Sequence, residues 1–568
     1  MNKININTLA QALVKHHNEN TENGICIINA RDKEKFIPYK SLYEKALKVL
    51  YNLQSLGIDE GTELILQIGD DKNEYFIYTF WACILGKIIP VPVSVGFREN
   101  LTKILRVFKT LKNPRVIIDD KCYAALNELE KDKEEELLFC SLKDRIVPLE
   151  KLVEDNGYGI IKKSNENDIA YIQFSSGATG DCKGVVLTNK NLITNIGDII
   201  ANSNSTKEDS TLSWMPLTHD MGMIGFHLYP LVYGINQFIM KNSLFIRGPI
   251  LWMEKINEHR ATIAASSNFG LRYFLDNIKR KEIDEWDLSC IRKIYNGAEP
   301  ISIEIINEFI TKLKKYGLSE KAMYPVYGMA EASLAVAFPD PNKKFETITV
   351  RKDKLGIGDK VIEFNEKCEN KTEFIELVKE GNNLNNCSIR ITGKNNEIYG
   401  EDIVGYVHIK GDNVTKQYYN NYNLTKKNIN EEGWLNTTDL GFVKDNKLVL
   451  IGRSQDLINI NGTSYYAHNI EKECEILDNI DTGRIAVCSH NNSLIIFILF
   501  KRKIEDFIKY IEDIKSFIKG KYAVDIKHVI PVKYIPKTTS GKIQRYKLSE
   551  MYYDGEFSDV INEIANLI

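Results

Sequence analysis

Apolar residues recur along this chain with two different periods, and the way these periods take turns predicts a layered α/β fold. Runs rich in Ile and Val stand at ELILQIG (63–69), PRVIID (114–119), DIAYIQFS (168–175), GVVLT (184–188), ATIAAS (261–266) and RKIYNGA (292–298). Each is short and largely apolar, as expected of strands covered on both faces. Amphipathic stretches lie between them. YKSLYEKALKVLYNLQSLG (39–57) carries its apolar residues at helical spacing and stops at Gly57, which suits the turn that closes a helix. The most hydrophobic stretch, Tyr75 to Gly96, is broken by Lys87 and two prolines before it reaches the ~20 apolar residues that cross a bilayer. It predicts a buried helix, then a buried strand, and no membrane span.

The texture changes after Arg453. A charge-rich, helix-like segment (501–522) leads into a strand-like VDIKHVIPV (524–532) and then the loop IPKTTSGKIQR (535–545). A chain of 568 residues exceeds one core, since single cores stop growing near ~250–300 residues. The division expected is a large α/β unit over 1–455 and a small α+β unit over 456–568. The Asn- and Lys-rich patches around 420–430 are expected to be solvated loops.

Composition narrows the partners. The 74 Lys+Arg and 77 Asp+Glu leave a net charge of −3, which gives no global field for gathering nucleic acid. The 10 cysteines stand singly with no C-x-x-C pair, so neither a zinc site nor a disulfide framework is indicated. With no secretory signal at the N-terminus, the cytoplasm is the expected compartment.

The sharpest chemical signal is Ser175-Ser176-Gly177-Ala178-Thr179-Gly180-Asp181-Cys182-Lys183-Gly184, set between two predicted strands. Three hydroxyls, three glycines and one lysine in a strand-to-strand turn form an anion cradle in which backbone N–H groups approach phosphate oxygens. A Gly/Ser-rich turn is also often only a solvated hairpin. It is not a P-loop, because Lys183 is followed by Gly184 and no helix opens there. Further signals follow in order: WMPLTHDMGMIG (214–225), YNGAEP (295–300), YPVYGMAE (324–331), GWLNTTDLG (433–441), GRSQD (452–456) and SGKIQR (540–545).

Taken together and in this order, these motifs resemble the acyl-adenylate-forming (AMP-binding) superfamily, and within it the fatty acyl-AMP ligases. The likeness rests on the H-D-M-G stretch at His219 to Gly222, on Ala330 before Glu331, and on the long spacer after Glu331, whose middle (360–387) resembles a family-specific insertion. It implies a multi-subdomain N-terminal domain and a small mobile C-terminal domain turning about Asp456. It implies an ATP- and Mg²⁺-dependent ligase that converts a fatty acid to acyl-AMP, releases pyrophosphate, and passes the acyl group to an acyl carrier protein supplied in trans. Lys542 is then the catalytic cation, with His219 bordering the path between carboxylate and thiol. Ser175, Ser176, Gly177, Ala178, Thr179, Gly180 and Lys183 take the phosphates. Asn296, Gly297, Ala298, Glu299, Tyr327, Gly328, Met329, Ala330, Asp439 and Arg453 surround the nucleoside, and Glu331 holds the metal. The mostly small and apolar stretch 263–275 is expected to wall the acyl channel. An acyl-CoA synthetase, a peptide-synthetase-type amino acid activator (with Asp220 holding the ammonium) and an inactive scaffold are the competing readings.

Overall fold

The computed structural model describes residues 5–567 apart from 97, 153, 177–181, 279–284, 366–372, 461–462, 476, 478–482, 492, 523 and 538–542. The apolar runs become strands at Glu63–Gln67, Arg115–Ile118, Ile169–Ser176, Cys182–Thr188, Ile263–Ser266 and Lys293–Asn296. The amphipathic stretch forms the helix Tyr39–Ser55, and the hydrophobic stretch forms the helix Asn73–Gly86 followed by the strand Ile89–Pro92. Phe76, Phe80, Trp81 and Leu85 of that helix are all buried, which explains a composition apolar on every side. No described helix is long and apolar enough to cross a membrane.

The cleft-forming layer is a seven-stranded sheet. In spatial order it comprises Met323–Pro325, Lys293–Asn296, Ile263–Ser266, Ser210–Ser213, Asn236–Met240, Gly24–Ala30 and Lys33–Pro38, parallel except for the last pair. Parallel strands deliver their C-terminal ends to one edge, where ligand crevices of α/β sheets form. Four of these ends run directly into cleft residues: Ser213 into Trp214, Ser266 into Ser267, Asn296 toward Ala298, and Pro325 into Val326. A parallel four-stranded sheet (Ile89–Pro92, Glu63–Gln67, Arg115–Ile118, Ile146–Pro148) supports the hairpin Ile169–Ser176/Cys182–Thr188.

A nine-stranded, largely antiparallel sheet forms the cleft's other wall and carries Leu435–Lys444 and Lys447–Arg453. The described part of the predicted insertion is built into it, because Phe374–Asn383 pairs with Glu346–Arg351 on one side and with Lys447–Arg453 on the other. Around 420–430 the structure has a short helix, Tyr422–Asn428, with no buried residue, so that segment is solvated but ordered.

Beyond Ser454–Asp456, a single 3-10 turn, the chain forms a smaller unit with its own sheet (Ile485–His490, Ser493–Leu499, Ile526–Val532) and its own core around Ile496, Ile511, Ile514 and Ile518. The helix predicted over 501–522 starts later than its charge pattern suggests, with a 3-10 turn at Ile504–Phe507 before the helix Ile508–Tyr522. The small unit meets the large one through Tyr466 Oη to the Leu355 carbonyl (3.1 Å) and through Lys352 Nζ to Glu473 (2.9 Å).

Candidate active site

A single cleft of about 3120 Å³ receives the strand ends described above and the inner face of the small unit. On its nucleoside side, antiparallel pairing of Leu435–Lys444 with Lys447–Arg453 sets Asp439 directly opposite Arg453. Tyr327 Oη donates to Asp439 Oδ2 at 2.6 Å, and Arg453 Nε stands 3.5 Å from Oδ1. The carboxylate is thereby held from both sides. Burial, reinforced by Asp439, pushes the Tyr327 phenol well above its usual range, so it remains a donor.

Backbone strain gathers at the same place. Ala298 (φ 72°) and Thr438 (φ 64°) occupy the left-handed region, costly for residues with a side chain and most of all for a β-branched one. Each sits beside a predicted binding residue. Asn296 is fully buried, and its amide donates to the Ser266 carbonyl at 2.9 Å, so it ties neighbouring strands together. A methyl at Gly297 would lie 2.9 Å from the Val326 carbonyl, so that glycine permits the close approach of the segment leading to Tyr327. Glu299 Oε1 accepts from the Phe269 N–H at 2.9 Å. Gly328, Met329 and Ala330 line the cleft just before Glu331.

Glu331 is buried, yet its side chain lines the cleft. Its Oε1 accepts from Tyr418 Oη at 3.0 Å; Arg453 feels its charge, but no described cation stands within ion-pair distance of it. A carboxylate held by one neutral phenol keeps most of its acceptor capacity, which suits a magnesium ion bound by one or two carboxylates plus substrate oxygens. Lys183 lies opposite Ser175 in the hairpin, its Nζ 6.0 Å from the ring centre of the same Tyr418, and Ser176 pairs with Cys182. Gly177, Ala178, Thr179, Gly180 and Lys542 lie outside the described residues.

His219 and Asp220 cap a rare element. Residues Met221–Leu228 form a π-helix, an arrangement often found at functional sites, and Asp220 Oδ1 accepts from the Met221 N–H at 2.7 Å. His219 Nδ1 lies 2.7 Å from the same carboxylate, which leaves Nε2 without a protein partner among the described residues. A methyl on Gly222 would stand 2.2 Å from the Pro216 carbonyl, so the H-D-M-G pattern carries its glycine for space.

The predicted channel wall is realised differently. Ile263, Ala264, Ala265, Leu271, Phe274 and Leu275 pack into the core, while Ser267, Asn268, Phe269, Arg272 and Tyr273 face the cleft. On the helix Asn268–Ile278 the larger and more polar face is the one turned to the cavity. Sequence reasoning also missed Tyr418 and a fully buried relay behind the π-helix. In that relay Trp81 Nε1 donates to His227 Nε2 (2.9 Å), His227 Nδ1 to Gln237 Oε1 (2.8 Å), and Gln237 Nε2 to Tyr39 Oη (2.8 Å). Burial drives the His227 imidazole down to about 4, against the Gln237 hydrogen bond, so it is neutral at physiological pH.

Comparison with known proteins gives this geometry a family. A putative acyl-CoA synthetase of Caulobacter vibrioides is 27% identical over 95% of this chain and 94% of its own length. A medium-chain-fatty-acid–[acyl-carrier-protein] ligase of Moorena producens is 26% identical over 98% of this chain and 96% of its own. The crystal structure of a fatty acyl-adenylate ligase from L. pneumophila, in complex with acyl adenylate and pyrophosphate, superposes with a TM-score of 0.73 at 25% identity, covering 97% of each chain. The family model for AMP-binding enzymes matches residues 14–419, and the chain belongs to that family.

Proposed function

We propose that this protein is a fatty acyl-AMP ligase, which activates a medium- or long-chain carboxylic acid with ATP and hands the acyl group to the phosphopantetheine thiol of an acyl carrier protein. The observation that carries this reading is the convergence of Tyr327, Asp439, Arg453 and Glu331 on one cleft that His219 also lines. The names of the Moorena relative and the L. pneumophila structure support the acyl class and the carrier acceptor.

In the first step a substrate carboxylate oxygen bonds to the α-phosphorus and the bond to the β-phosphate oxygen breaks, with pyrophosphate leaving. Two anions must meet, so this chain's work is placement and charge neutralisation. Tyr327 packs against adenine while its hydroxyl steadies Asp439, whose remaining acceptor sites take the ribose hydroxyls beside Arg453. Ala298 and Glu299 line the ring's edge. Ser175, Ser176 and Lys183 hold phosphate oxygens together with the intervening loop. Lys542, a compact charge on a long stem, neutralises the meeting point of carboxylate and α-phosphate. Glu331 would hold Mg²⁺, which when bound neutralises phosphate charge. In the second step the thiol gives its proton to solvent, its sulfur bonds to the acyl carbon, and the bond from that carbon to the phosphate oxygen breaks as AMP leaves, with His219 bordering the thiol's path. The domain boundary falls at 455/456, and the small unit turns about Asp456 between the steps. The cytoplasm, with its ATP and reduced thiols, is the proposed compartment, in keeping with the free state of the described cysteines.

A second reading, acyl-CoA synthetase, is favoured by the name of the Caulobacter relative. One experiment separates them: pyrophosphate release with ATP, Mg²⁺ and a panel of aliphatic, aromatic and amino acids, followed by CoA or phosphopantetheinylated carrier protein. Turnover of aliphatic acids with acylation of the carrier alone supports the ligase. Equal or faster transfer to CoA overturns the acceptor, and turnover of amino acids alone overturns the substrate class. Chelation of Mg²⁺ should stop pyrophosphate release.

A further inference from the structure

Away from the cleft, one group of three metal-ligating side chains stands among the described residues. The Cys26 sulfur, a Glu34 carboxylate oxygen and a His259 ring nitrogen all lie within 4.8 Å of one another. None of the three lines the cleft. They come from the strand Gly24–Ala30, the edge strand Lys33–Pro38 and the last turn of the helix Ile250–His259, which is why no C-x-x-C pair announces them. Glu34 stands opposite Ile28, two residues from Cys26, so sheet alternation puts the thiol and the carboxylate on one face. Phe238 pairs with Cys26 in the neighbouring strand and stacks on the His259 ring (4.3 Å, 21°), which fixes the imidazole beside them.

Cys26 Sγ donates to Glu34 Oε2 at 3.5 Å, while His259 Nε2 and Lys255 Nζ lie 3.0 and 2.7 Å from Oε1. Lys255 also meets Glu258 at 2.7 Å. That ion pair is complete without a thiol or an imidazole, so it does not account for them. Charge does: the two carboxylates and one ammonium leave one negative charge, and a Cys26 thiolate adds a second, which one divalent ion cancels. Zinc bonds of ~2.3 Å to sulfur and ~2.0 Å to oxygen at a tetrahedral angle set those atoms about 3.5 Å apart, the separation found here. A thiolate joined by an imidazole selects zinc over magnesium or calcium, which take oxygen ligands. The Glu34 and His259 side chains are 22% and 18% exposed, so an ion can enter from solvent.

We propose that Cys26, Glu34 and His259 form a zinc(II) site, completed by a water molecule, that clamps the helix Ile250–His259 to the edge hairpin of the seven-stranded sheet. On binding, the thiol proton passes to solvent, and the sulfur, Glu34 Oε2 and the unprotonated His259 Nε2 each give a lone pair to the ion. The ring proton then sits on Nδ1, and Lys255 stays with Glu34 Oε1 and Glu258. This site is independent of the adenylation reading. The experiment uses the full chain freed of metal by a chelator, then titrated with Zn²⁺ against a chromophoric competitor and with Co²⁺ followed by absorption. Wild type should take one ion per chain and show a thiolate-to-cobalt charge-transfer band. Partners outside the ligand set are by themselves worth roughly 10–100-fold in metal affinity, so Cys26→Ser and His259→Gln should each weaken zinc by about 100-fold or more, and Cys26→Ser should lose the band. Zinc should raise the thermal midpoint of the wild type and not that of Cys26→Ser. A wild type that retains no zinc, variants that bind it as tightly, or binding that leaves the midpoint unmoved would overturn the proposal. If the variants do not fold, X-ray absorption of the zinc-loaded wild type decides: one sulfur among nitrogen and oxygen ligands supports the site, and a shell with no sulfur or with several overturns it.

Discussion

Replacing Glu380 by Gln should abolish a pH dependence of stability that the wild type carries. Glu380 lies on Phe374–Asn383 where the register slips between Lys379 and Gly381, so it is the extra residue of a bulge. It is 4% exposed, its Oε2 has no hydrogen-bond partner among the described residues, and burial alone pushes the carboxyl up to about 8. In the open chain the group titrates near its ordinary 4.5. Between those limits the folded state holds a proton that the unfolded state has lost, so stability falls as pH rises, by about 1.4 kcal/mol per pH unit. The carboxyl's full contribution is present below 4.5 and is lost as pH climbs through 8. From pH 5 to pH 8 the wild type should therefore lose about 3.5 kcal/mol relative to Glu380→Gln, whose amide cannot ionise. Urea denaturation of both proteins at each pH, followed by tryptophan fluorescence, measures the difference, in which all other titrating groups cancel. A difference that stays flat from pH 5 to 8, or slopes the other way, would refute the reasoning.

The other expectations concern the site and its supports. Lys542→Ala should abolish acyl-AMP formation while ATP still binds; retained adenylation would show the catalytic cation to be elsewhere. Tyr327→Phe removes the bond that steadies Asp439 and should raise the ATP KM about tenfold with little change in thermal stability, an outcome that steady-state kinetics and calorimetry check together. Arg545 joins Asp456 (2.7 Å) to the buried Glu471, whose Oε1 also accepts from the Val487 N–H (2.8 Å), so Arg545→Met should destabilise the small unit by about 3 kcal/mol and the double variant with Glu471→Leu by less. Additive losses in that cycle would show the pair to be uncoupled. Burial holds His227 and His408 down to about 4, so between pH 6.5 and 4 the unfolded chain binds protons these sites refuse, and stability present above 6.5 should be lost as pH falls toward 4. His227→Gln should flatten part of that slope in acid titrations followed by circular dichroism.

What was legible in advance was local. The apolar run Ile169–Phe174 announces a strand because burial on both faces demands continuous hydrophobicity, and Tyr39–Ser55 announces a helix because one face alone is buried. The order of short motifs carried the family, since each keeps its few chemical residues within one turn or strand end. The 263–275 stretch shows the limit: its small apolar residues mark burial correctly, but in the core, while Phe269 and Tyr273 face the cleft.

Pairings across long sequence separations were decided only by the tertiary structure. Tyr418 meets Glu331 across 87 residues, Tyr327 meets Asp439 across 112, and Trp81 meets His227 across 146. Glu380 looks like an ordinary polar position of a strand, and only the surrounding packing leaves its Oε2 without a hydrogen-bond partner among the described residues. Hydrophobic periodicity records which face of an element leaves water, so the sequence by itself determined the elements, the layers and the family. It does not record which element will lie opposite, and a buried polar atom takes its character from that neighbour, so the electrostatics of the site were settled by the fold.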